Sequence, residues 1–277
     1  MSGFKKFERF VLKIYLNNPK LRPLIKKIRD IVKPLKPGFS GWGMTTMHIP
    51  PWENHFDAKI FLDAKEDVKK FKFNLVTSTG TDQNNIDDIF WRHWIISYAT
   101  KRAIKFSEDS ELNFVECGVG EGISAFFSLR HISNDFSKVW KMHLYDAWAP
   151  MRKKELLETE LNSIGKYSEL TIDMVKNNLK EFENNIIYHE GYIPESFEKT
   201  PNNPKSIIFI HVDLNSAKPT LASLKYFFPK LKERGIILFD DYGAANYFET
   251  RKMIDEFFED QKGFLMELPT GQAIYYK

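Results

Sequence analysis

The sequence predicts an α/β fold: a doubly wound, mostly parallel sheet that closes in a C-terminal antiparallel hairpin and follows an N-terminal helical extension. Two observations predict the sheet. After residue 106, short apolar runs alternate with longer segments that fit helices or connections, which is typical of βαβ units covered on both faces. The last two apolar runs flank Pro269-Thr270-Gly271, which indicates a hairpin.

Residues 1–38 are predicted to form a basic helical arm. They hold eleven lysine and arginine residues against two acidic ones, a formal charge of +9 in a chain whose net charge is +3. Phe4, Phe7, Val11 and Ile14 recur at helical spacing. We favour an arm packed on the body or on a second subunit. The alternative is a patch that contacts an anionic membrane surface or a charged polymer.

The basic arm also affects which partners we expect the chain to bind. Because no nucleic-acid-binding motif accompanies the positive charge, we predict no nucleic-acid partner. An arm of this kind can exchange between subunits, and we therefore expect a homo-oligomer.

Residues 39–106 are predicted to form a cap and a helix. The segment 38–84 is rich in Gly, Pro, Trp and His, and we expect mostly irregular structure that covers a cleft. From residue 87 to 105 the pattern turns helical, with Phe90, Trp94 and Tyr98 among the residues on one side.

Residues 107–277 are predicted to form the sheet domain. Helical segments such as 123–129, 171–182, 220–231 and 247–258 separate its apolar runs. The predicted strands are 112–117, 142–145, 186–189, 206–212, 235–239, 264–268 and 272–276.

The composition predicts a folded, soluble chain. Hydrophobic residues make up 43% of 277 residues, which excludes a disordered chain, and no apolar stretch approaches the ~20 residues that span a bilayer. The N-terminal apolar positions are interrupted by basic residues, so we expect no signal peptide. Cys117 is the single cysteine, which excludes an intramolecular disulfide and favours a cytoplasmic location.

A glycine-rich turn follows the first predicted strand. Gly118, Gly120 and Gly122 let the backbone turn sharply and approach a ligand closely. Such a turn could hold a dinucleotide, another nucleoside, or simply pack tightly. Because Ile123 stands where the third glycine of a dinucleotide motif would fall, a pyrophosphate site is disfavoured. Asp146 ends the second strand, where an acid can accept hydrogen bonds from a ribose; the alternative is a capping Asp.

Two later strands also end in acids, Asp213 after the fourth and Asp240-Asp241 after the fifth. If these strands pair in parallel at ~4.8 Å, their carboxylates converge and favour a divalent ion, Mg²⁺ before Ca²⁺. The alternative for Asp240-Asp241 is a turn before Gly243. The three histidines in or near strands are predicted to be packed residues rather than metal ligands: His143, His189 and His211.

From residue 90 to the C-terminus the chain resembles the TylF/macrocin O-methyltransferase family, a branch of the class I S-adenosylmethionine (SAM)-dependent methyltransferases. The resemblance rests on the order and spacing of short segments over two thirds of the chain. The segments are Phe90-Trp91-Arg92 with Tyr98, Phe114-Val115-Glu116-Cys117-Gly118-Val119, Tyr145-Asp146, Val175-Lys176-Asn177-Asn178-Leu179, Glu190-Gly191, Asp213 with Pro219-Thr220, and Gly235-Ile236-Ile237-Leu238-Phe239-Asp240-Asp241-Tyr242-Gly243.

The resemblance implies a seven-stranded, Rossmann-like sheet and methylation of a sugar hydroxyl on a glycan or glycosylated metabolite. It implies a divalent metal, which the oxygen ligands suggest is Mg²⁺, on Asp213, Asp240 and Asp241, with Asp213 also the general base. The predicted SAM-binding residues are Glu116, Gly118, Gly120, Gly122, Ser124, Asp146, Ala147, Gly191 and Tyr192.

The sequence departs from the family pattern in two places. Asn215-Ser216-Ala217-Lys218 replaces a stretch that in the family holds an Asp followed by Leu-Tyr-Glu, so one negative charge is missing. Gly120-Glu121-Gly122-Ile123 replaces Trp-Arg-Gly-Gly. Two other functions stay open: an NAD-dependent nucleotide-sugar oxidoreductase, and a catalytically idle SAM-binding module for docking or assembly.

Two segments are candidates for enclosing the reaction. Residues 149–167 form either a lid over the cofactor or an exposed surface helix. Trp42, Met44, Met47 and Trp52 could line the acceptor pocket or simply be buried. The frequent use of Lys, Asn, Ile and Phe hints at a bacterial source.

Overall fold

The computed structural model describes residues 56–70, 73, 75, 90–134, 138–243 and 245–277. All described residues belong to one compact unit, which spans residues 48–277. The predicted basic arm therefore lies outside the described residues. The same is true of the four pocket candidates in the predicted cap, Trp42, Met44, Met47 and Trp52.

The described chain alternates helices and strands as the sequence predicts. Short 3₁₀ turns connect several of these elements. In chain order the elements are α1 (Phe56–Lys70), α2 (Phe90–Phe106), β1 (Glu111–Cys117), α3 (Ile123–Ser133), β2 (Val139–Asp146), α4 (Ile172–Asn178), β3 (Ile186–Glu190), α5 (Glu195–Lys199), β4 (Ile207–Val212), α6 (Ala217–Phe227), β5 (Leu231–Phe239), α7 (Phe248–Phe258), β6 (Phe264–Glu267) and β7 (Ala273–Tyr276).

Seven strands form one sheet in the order β3-β2-β1-β4-β5-β7-β6. The first five strands of that order pair in parallel, and β7 runs antiparallel to both β5 and β6. The predicted doubly wound sheet and its C-terminal hairpin are therefore confirmed. Strand order reverses between β1 and β4, the place where open α/β sheets bind ligands.

Helices cover both faces of the sheet, and alternate strand residues enter two separate cores. Phe114 on β1 and Phe209 on β4 pack with residues of α1, α2, α3 and α4. Val115 and Ile210, one position further along each strand, pack with residues of α5, α6 and α7. Because both faces are buried, the strands read as continuous apolar runs rather than as alternating patterns.

Helix α1 lies within residues 38–84, for which the sequence predicts mostly irregular structure. Ala58, Phe61, Ala64 and Val68 are fully buried and recur at three- and four-residue steps, which gives the segment a helical apolar stripe. Most of the Gly, Pro and Trp residues that suggested irregular structure lie before this stripe, and Gly80 lies after it. Among the described helices, none is long and apolar enough to cross a membrane.

Helix α2 brings a charged residue to the ligand-binding edge of the sheet. Its side chains at Ile96, Ala99 and Ala103 are buried, and the helix contacts α3, β4 and β5. Arg92 lies in its first turn, so its guanidinium reaches the ends of β4 and β5.

His143 and His189 form a buried pair on β2 and β3. Their rings stack, and Nδ1 of His143 lies 3.0 Å from Nε2 of His189. Burial and the neighbouring charges of His189 and Lys141 lower the pKa of His143 to about 3. Burial lowers the pKa of His189 to about 4. Both histidines are packed residues, as the sequence predicts.

This pair should make the stability of the chain depend on pH. Both folded-state pKa values lie below the unfolded value of about 6.5, so stabilisation present above that pH is lost as the pH falls. We expect the free energy of unfolding to fall by about 1.4 kcal/mol per histidine between about pH 8 and pH 5.5, measured by urea unfolding. The His143→Gln, His189→Gln double variant should lose this part of the pH dependence. An identical pH dependence in both proteins would contradict the assignment.

Candidate functional site

A cleft of about 390 Å³ opens at the carboxyl ends of the parallel strands. The turn after β1, the end of β2 and the loops after β3, β4 and β5 line it, together with Arg92 and His93 of α2. The sheet thus brings the predicted glycine turn and the predicted acidic residues to one site.

The glycine turn has the backbone geometry that its sequence predicts. Gly118, Gly120 and Gly122 all have positive φ angles, of 82°, 56° and 88°. The Gly118 amide donates to the Tyr145 carbonyl at 2.9 Å, and the Asp213 amide donates to the Cys117 carbonyl at 2.8 Å. A Cβ atom at Gly118 would overlap the Asp213 carbonyl oxygen. Gly118 is therefore required where the ends of three strands meet.

Asp146 at the end of β2 holds the glycine turn in place. Its Oδ2 accepts hydrogen bonds from the amides of Val119 at 2.7 Å and Gly120 at 3.0 Å. Its Oδ1 accepts from the Trp148 amide at 2.7 Å. Burial raises the pKa of this carboxyl, and the backbone donors oppose the shift. The Ala147 backbone amide is a further donor to this carboxylate, which therefore orders the backbone of the turn and of the residues that follow β2.

Most of the predicted SAM-binding residues line the cleft: Gly118, Gly120, Ser124, Asp146, Ala147, Gly191 and Tyr192. Glu116 and Gly122 are not among its lining residues. Glu116 is fully buried beside His211, with 3.2 Å between Oε1 and Nδ1. A Cβ atom at Gly122 would contact Leu179 and Val175, so this glycine serves the packing of α3.

Arg92 joins the carboxylates of Asp213 and Asp240. Its Nε donates to both oxygens of Asp240, at 2.7 and 2.8 Å, and its Nη2 donates to Oδ2 of Asp213. Gln272 donates a further hydrogen bond to Oδ1 of Asp240 at 2.9 Å. The pairing of β4 with β5 that the sequence predicts therefore does bring these two aspartates together.

Asp241 belongs to the cleft but faces a different set of donors. Its Oδ2 accepts a hydrogen bond from the backbone amide of Asn215 at 2.7 Å. The Asn215 side chain donates to Oδ1 of Asp213 at 3.2 Å and accepts from the Tyr247 hydroxyl at 2.5 Å. Asn215 thus links the two aspartates, at the position where the family pattern has a carboxylate.

Burial and mutual repulsion set the charges of the aspartates. Burial and the Asp240 charge raise the pKa of Asp213 to about 7. Burial and the charges of Asp213 and Asp240 raise the pKa of Asp241 well above its usual value. Burial acts in the same direction on Asp240, but the charge of Arg92 and contacts with His211 hold its pKa below the usual range.

His211 is fully buried, as the sequence predicts, but the sequence did not indicate that it contacts the aspartates of the site. Its Nε2 lies 3.9 Å from Oδ1 of Asp240, and Glu116 lies on its other side. Burial alone would lower its pKa, but Asp240 and Glu116 raise it to about 10. Strand periodicity could have found it, because His211 and Asp213 project to the same face.

The described donor set suits a hard divalent ion. Ligand atoms of His211, Asp213 and Asp240 lie within 4.8 Å of one another, and Asp241 lines the same cleft. Carboxylate oxygens are the ligands that Mg²⁺ prefers. The aspartate carboxylates therefore fit the predicted ion, whereas His211, whose pKa Glu116 and Asp240 raise to about 10, is protonated and offers no lone pair to a metal.

The predicted lid, residues 149–167, contains two 3₁₀ turns, Lys153–Glu155 and Glu158–Ser163, rather than a surface α-helix. Its ends pair, because the Gly165 amide donates to the Met151 carbonyl at 2.9 Å. The Glu160 carboxylate accepts from the Ala217 amide at 2.8 Å and the Ser216 hydroxyl at 2.9 Å, which fastens the segment to the start of α6. Several of its side chains line the cleft.

Comparison with known proteins finds one family model that matches this region. Residues 115–242 match the Methyltransf_24 family model, described as a methyltransferase domain. The matched range begins within β1 and ends after Asp241, so it contains the glycine turn and the three aspartates. No curated protein matches the sequence.

Two solved structures share the fold. The chain is similar to the O-methyltransferase NovP, at 15% identity and a TM-score of 0.57, over 68% of this chain and 80% of that one. It is also similar to CalS11, a calicheamicin methyltransferase, at 14% identity and a TM-score of 0.53, over 78% of this chain and 91% of that one.

Proposed function

We propose that this chain is a class I SAM-dependent methyltransferase and that it transfers the methyl group to a sugar hydroxyl. One observation supports an oxygen acceptor above all. The Asp213 carboxylate lies in the same cleft as the Gly118–Gly122 turn, where the methyl donor is expected. The proposal agrees with the name of NovP, an O-methyltransferase.

A carboxylate in this position suits an oxygen acceptor better than an amine. A neutral amine attacks a sulfonium without losing a proton first, whereas a sugar hydroxyl is a weak acid that must give up its proton as it attacks. A positioned carboxylate can accept that proton. The step breaks the sulfur–methyl bond, forms an oxygen–methyl bond, and leaves the proton on Asp213 and neutral S-adenosylhomocysteine as the second product.

The polar lining of the cleft suits a sugar. Arg92, Asn215, Tyr167 and Tyr247 place a cation, an amide and two hydroxyls around the aspartates. A sugar offers several hydroxyls that can pair with such groups, and each paired group fixes its orientation toward the donor. The sugar in question belongs to a glycan or a glycosylated metabolite.

The remaining site residues have proposed roles. Asp146 accepts hydrogen bonds from the ribose of SAM, and the glycine turn contacts its amino-acid part. Asp213, Asp240 and Asp241 would hold Mg²⁺, which when bound lowers the pKa of a coordinated hydroxyl. These roles rest on the shared cleft and on the chemistry of the side chains.

The test is a methyl-transfer screen with the full chain. Purified protein is incubated with methyl-deuterated SAM and a panel of nucleotide sugars, glycans and glycosylated metabolites, with Mg²⁺ or with a chelator. We expect a deuterated methyl ether on one acceptor, identified by mass spectrometry and NMR. A methyl group found on nitrogen or carbon would contradict the proposal. Tight SAM binding without transfer or metal binding would favour the docking module.

Glu160 gives a separate prediction about the lid. Replacing it by glutamine puts an amide where donors from Ala217, Ser216 and Leu157 converge, so at least one of these hydrogen bonds is lost. We expect SAM to bind about tenfold more weakly, since hydrogen bonds to a charged group each contribute about 1.5–3 kcal/mol.

The measurements for this variant are calorimetric titration with SAM and tryptic cleavage at Lys153 and Lys154, which should become faster. Glu158→Gln, an exposed position on the same 3₁₀ turn, is the matched control and should behave like the native chain. Equal SAM affinity in all three proteins would show that the segment does not act as a lid.

A further inference from the structure

Arg92 occupies the space between two carboxylates that a bound cation would need. Its Nε lies between the oxygens of Asp240, at 2.7 and 2.8 Å, while Nη2 contacts Asp213. The three side chains are only 25%, 17% and 12% exposed, in the order Arg92, Asp213, Asp240. Partial burial strengthens such a contact, because the effective dielectric constant is lower than in water.

A divalent ion would use the same oxygens. Mg²⁺ binds carboxylate oxygens at about 2.0–2.1 Å with near-octahedral geometry. Both oxygens of Asp240 and Oδ2 of Asp213 already face the guanidinium, and Gln272 also donates to Oδ1 of Asp240. A guanidinium keeps its charge at every accessible pH, so the two cations would repel each other at this distance.

We infer that Arg92 is a built-in competitor of the divalent ion, which binds between Asp213 and Asp240 only when the guanidinium withdraws. The inference rests on the carboxylate site of the proposed function. Without metal, Arg92 acts as a positioning residue that keeps the two carboxylates convergent. The Asn215 backbone amide donates to Asp241 and the Asn215 side chain donates to Oδ1 of Asp213, whereas Arg92 contacts Oδ2 of that carboxylate.

The competition predicts that removing the guanidinium tightens metal binding. Arg92→Met removes the charge and keeps most of the side-chain length, and Arg92→Gln is a second neutral variant. We expect Mn²⁺, titrated into metal-free protein and detected by electron paramagnetic resonance, to bind both variants about tenfold or more tightly than the native chain. Arg102→Met is the matched control on the same helix, because Arg102 contacts Tyr98 and not the aspartates.

A second measurement needs no variant. The Nε–H proton of Arg92 should be protected from solvent exchange in the metal-free native chain, and the protection should be lost as Mg²⁺ is added. Thermal unfolding and SAM titration of each variant report whether the fold and the cofactor site are intact.

Tighter Mn²⁺ binding by the neutral variants, with Arg102→Met unchanged, would support the inference. Equal or weaker Mn²⁺ binding in variants that still bind SAM would overturn it, as would protection of the Arg92 proton at saturating Mg²⁺. Either failure leaves methyl transfer by the native chain untouched. Conversely, a native chain that methylates no hydroxyl would contradict the proposed function. It would leave the competition between Arg92 and the divalent ion for the two carboxylates unaffected.

Discussion

Replacing Gly118 by alanine is expected to abolish SAM binding and to lower the free energy of unfolding by at least about 3 kcal/mol. Two destabilising effects, backbone strain and steric overlap, add at this residue. The φ angle of 82° is strained for any residue with a Cβ atom, and that atom would overlap the Asp213 carbonyl oxygen. The backbone cannot move aside easily, because the Gly118 amide is bound to Tyr145 and the Asp213 amide to Cys117.

Gly120→Ala separates the effect of backbone strain from the effect of steric overlap. Gly120 also has a positive φ, of 56°, but an added Cβ atom would have no neighbour within 4 Å. We expect this variant to lose only about 1–2 kcal/mol of stability, from backbone strain alone. Urea unfolding measures the difference, and calorimetric titration measures SAM binding by Gly118→Ala. Equal stability of the two variants would show that the turn can shift away from the end of β4.

The strands, and the meeting of the acidic residues at their ends, could be predicted because each strand is recognisable from its own short apolar run. Buried parallel strands read as apolar runs, and each run from 112 to 239 has its counterpart in β1 to β5. The meeting of Asp213 with Asp240 followed from parallel pairing alone, since Val212 pairs with Phe239 and the next residues continue that register. One general rule about strand ends was therefore enough to predict this part of the site.

The cation that faces these carboxylates could not be predicted in the same way. Arg92 lies 121 positions before Asp213 in the sequence, and their contact depends on how α2 packs on β4 and β5. The sequence predicted the helix, but periodicity does not say which end of a helix reaches which strand. The segment Phe90-Trp91-Arg92, on which the family resemblance partly rests, does not by itself indicate a contact with the acidic residues.

The surroundings of Glu116 follow from strand register. Side chains alternate along a strand, so Glu116 projects to the same face as Phe114, and its register partner on β4 is His211. That pairing directs the carboxylate into the sheet face beneath α2 rather than into the cleft. A direct SAM contact by Glu116 remains a prediction, whereas its contact with His211 follows from strand register.

Asp213→Asn is expected to lower kcat for methyl transfer by about 10²–10⁴, the usual contribution of a general base. Asparagine keeps the shape of the side chain and an oxygen that can accept from Arg92, so the fold and the SAM affinity should change little. The measurement is single-turnover transfer to the acceptor that the screen identifies. Asp173→Asn, an exposed position on α4, is the matched control.

The size of the effect distinguishes a base from a structural partner of Arg92. A hydrogen bond to a charged group contributes about 1.5–3 kcal/mol, which would account for a loss of roughly 10–100-fold. A loss above about 10³ corresponds to more than 4 kcal/mol and needs proton transfer as well. Asp213→Glu restores a carboxylate one methylene further out and should recover part of the rate. A glutamate variant as slow as the asparagine variant, or an asparagine variant within tenfold of native, would remove Asp213 from the base role.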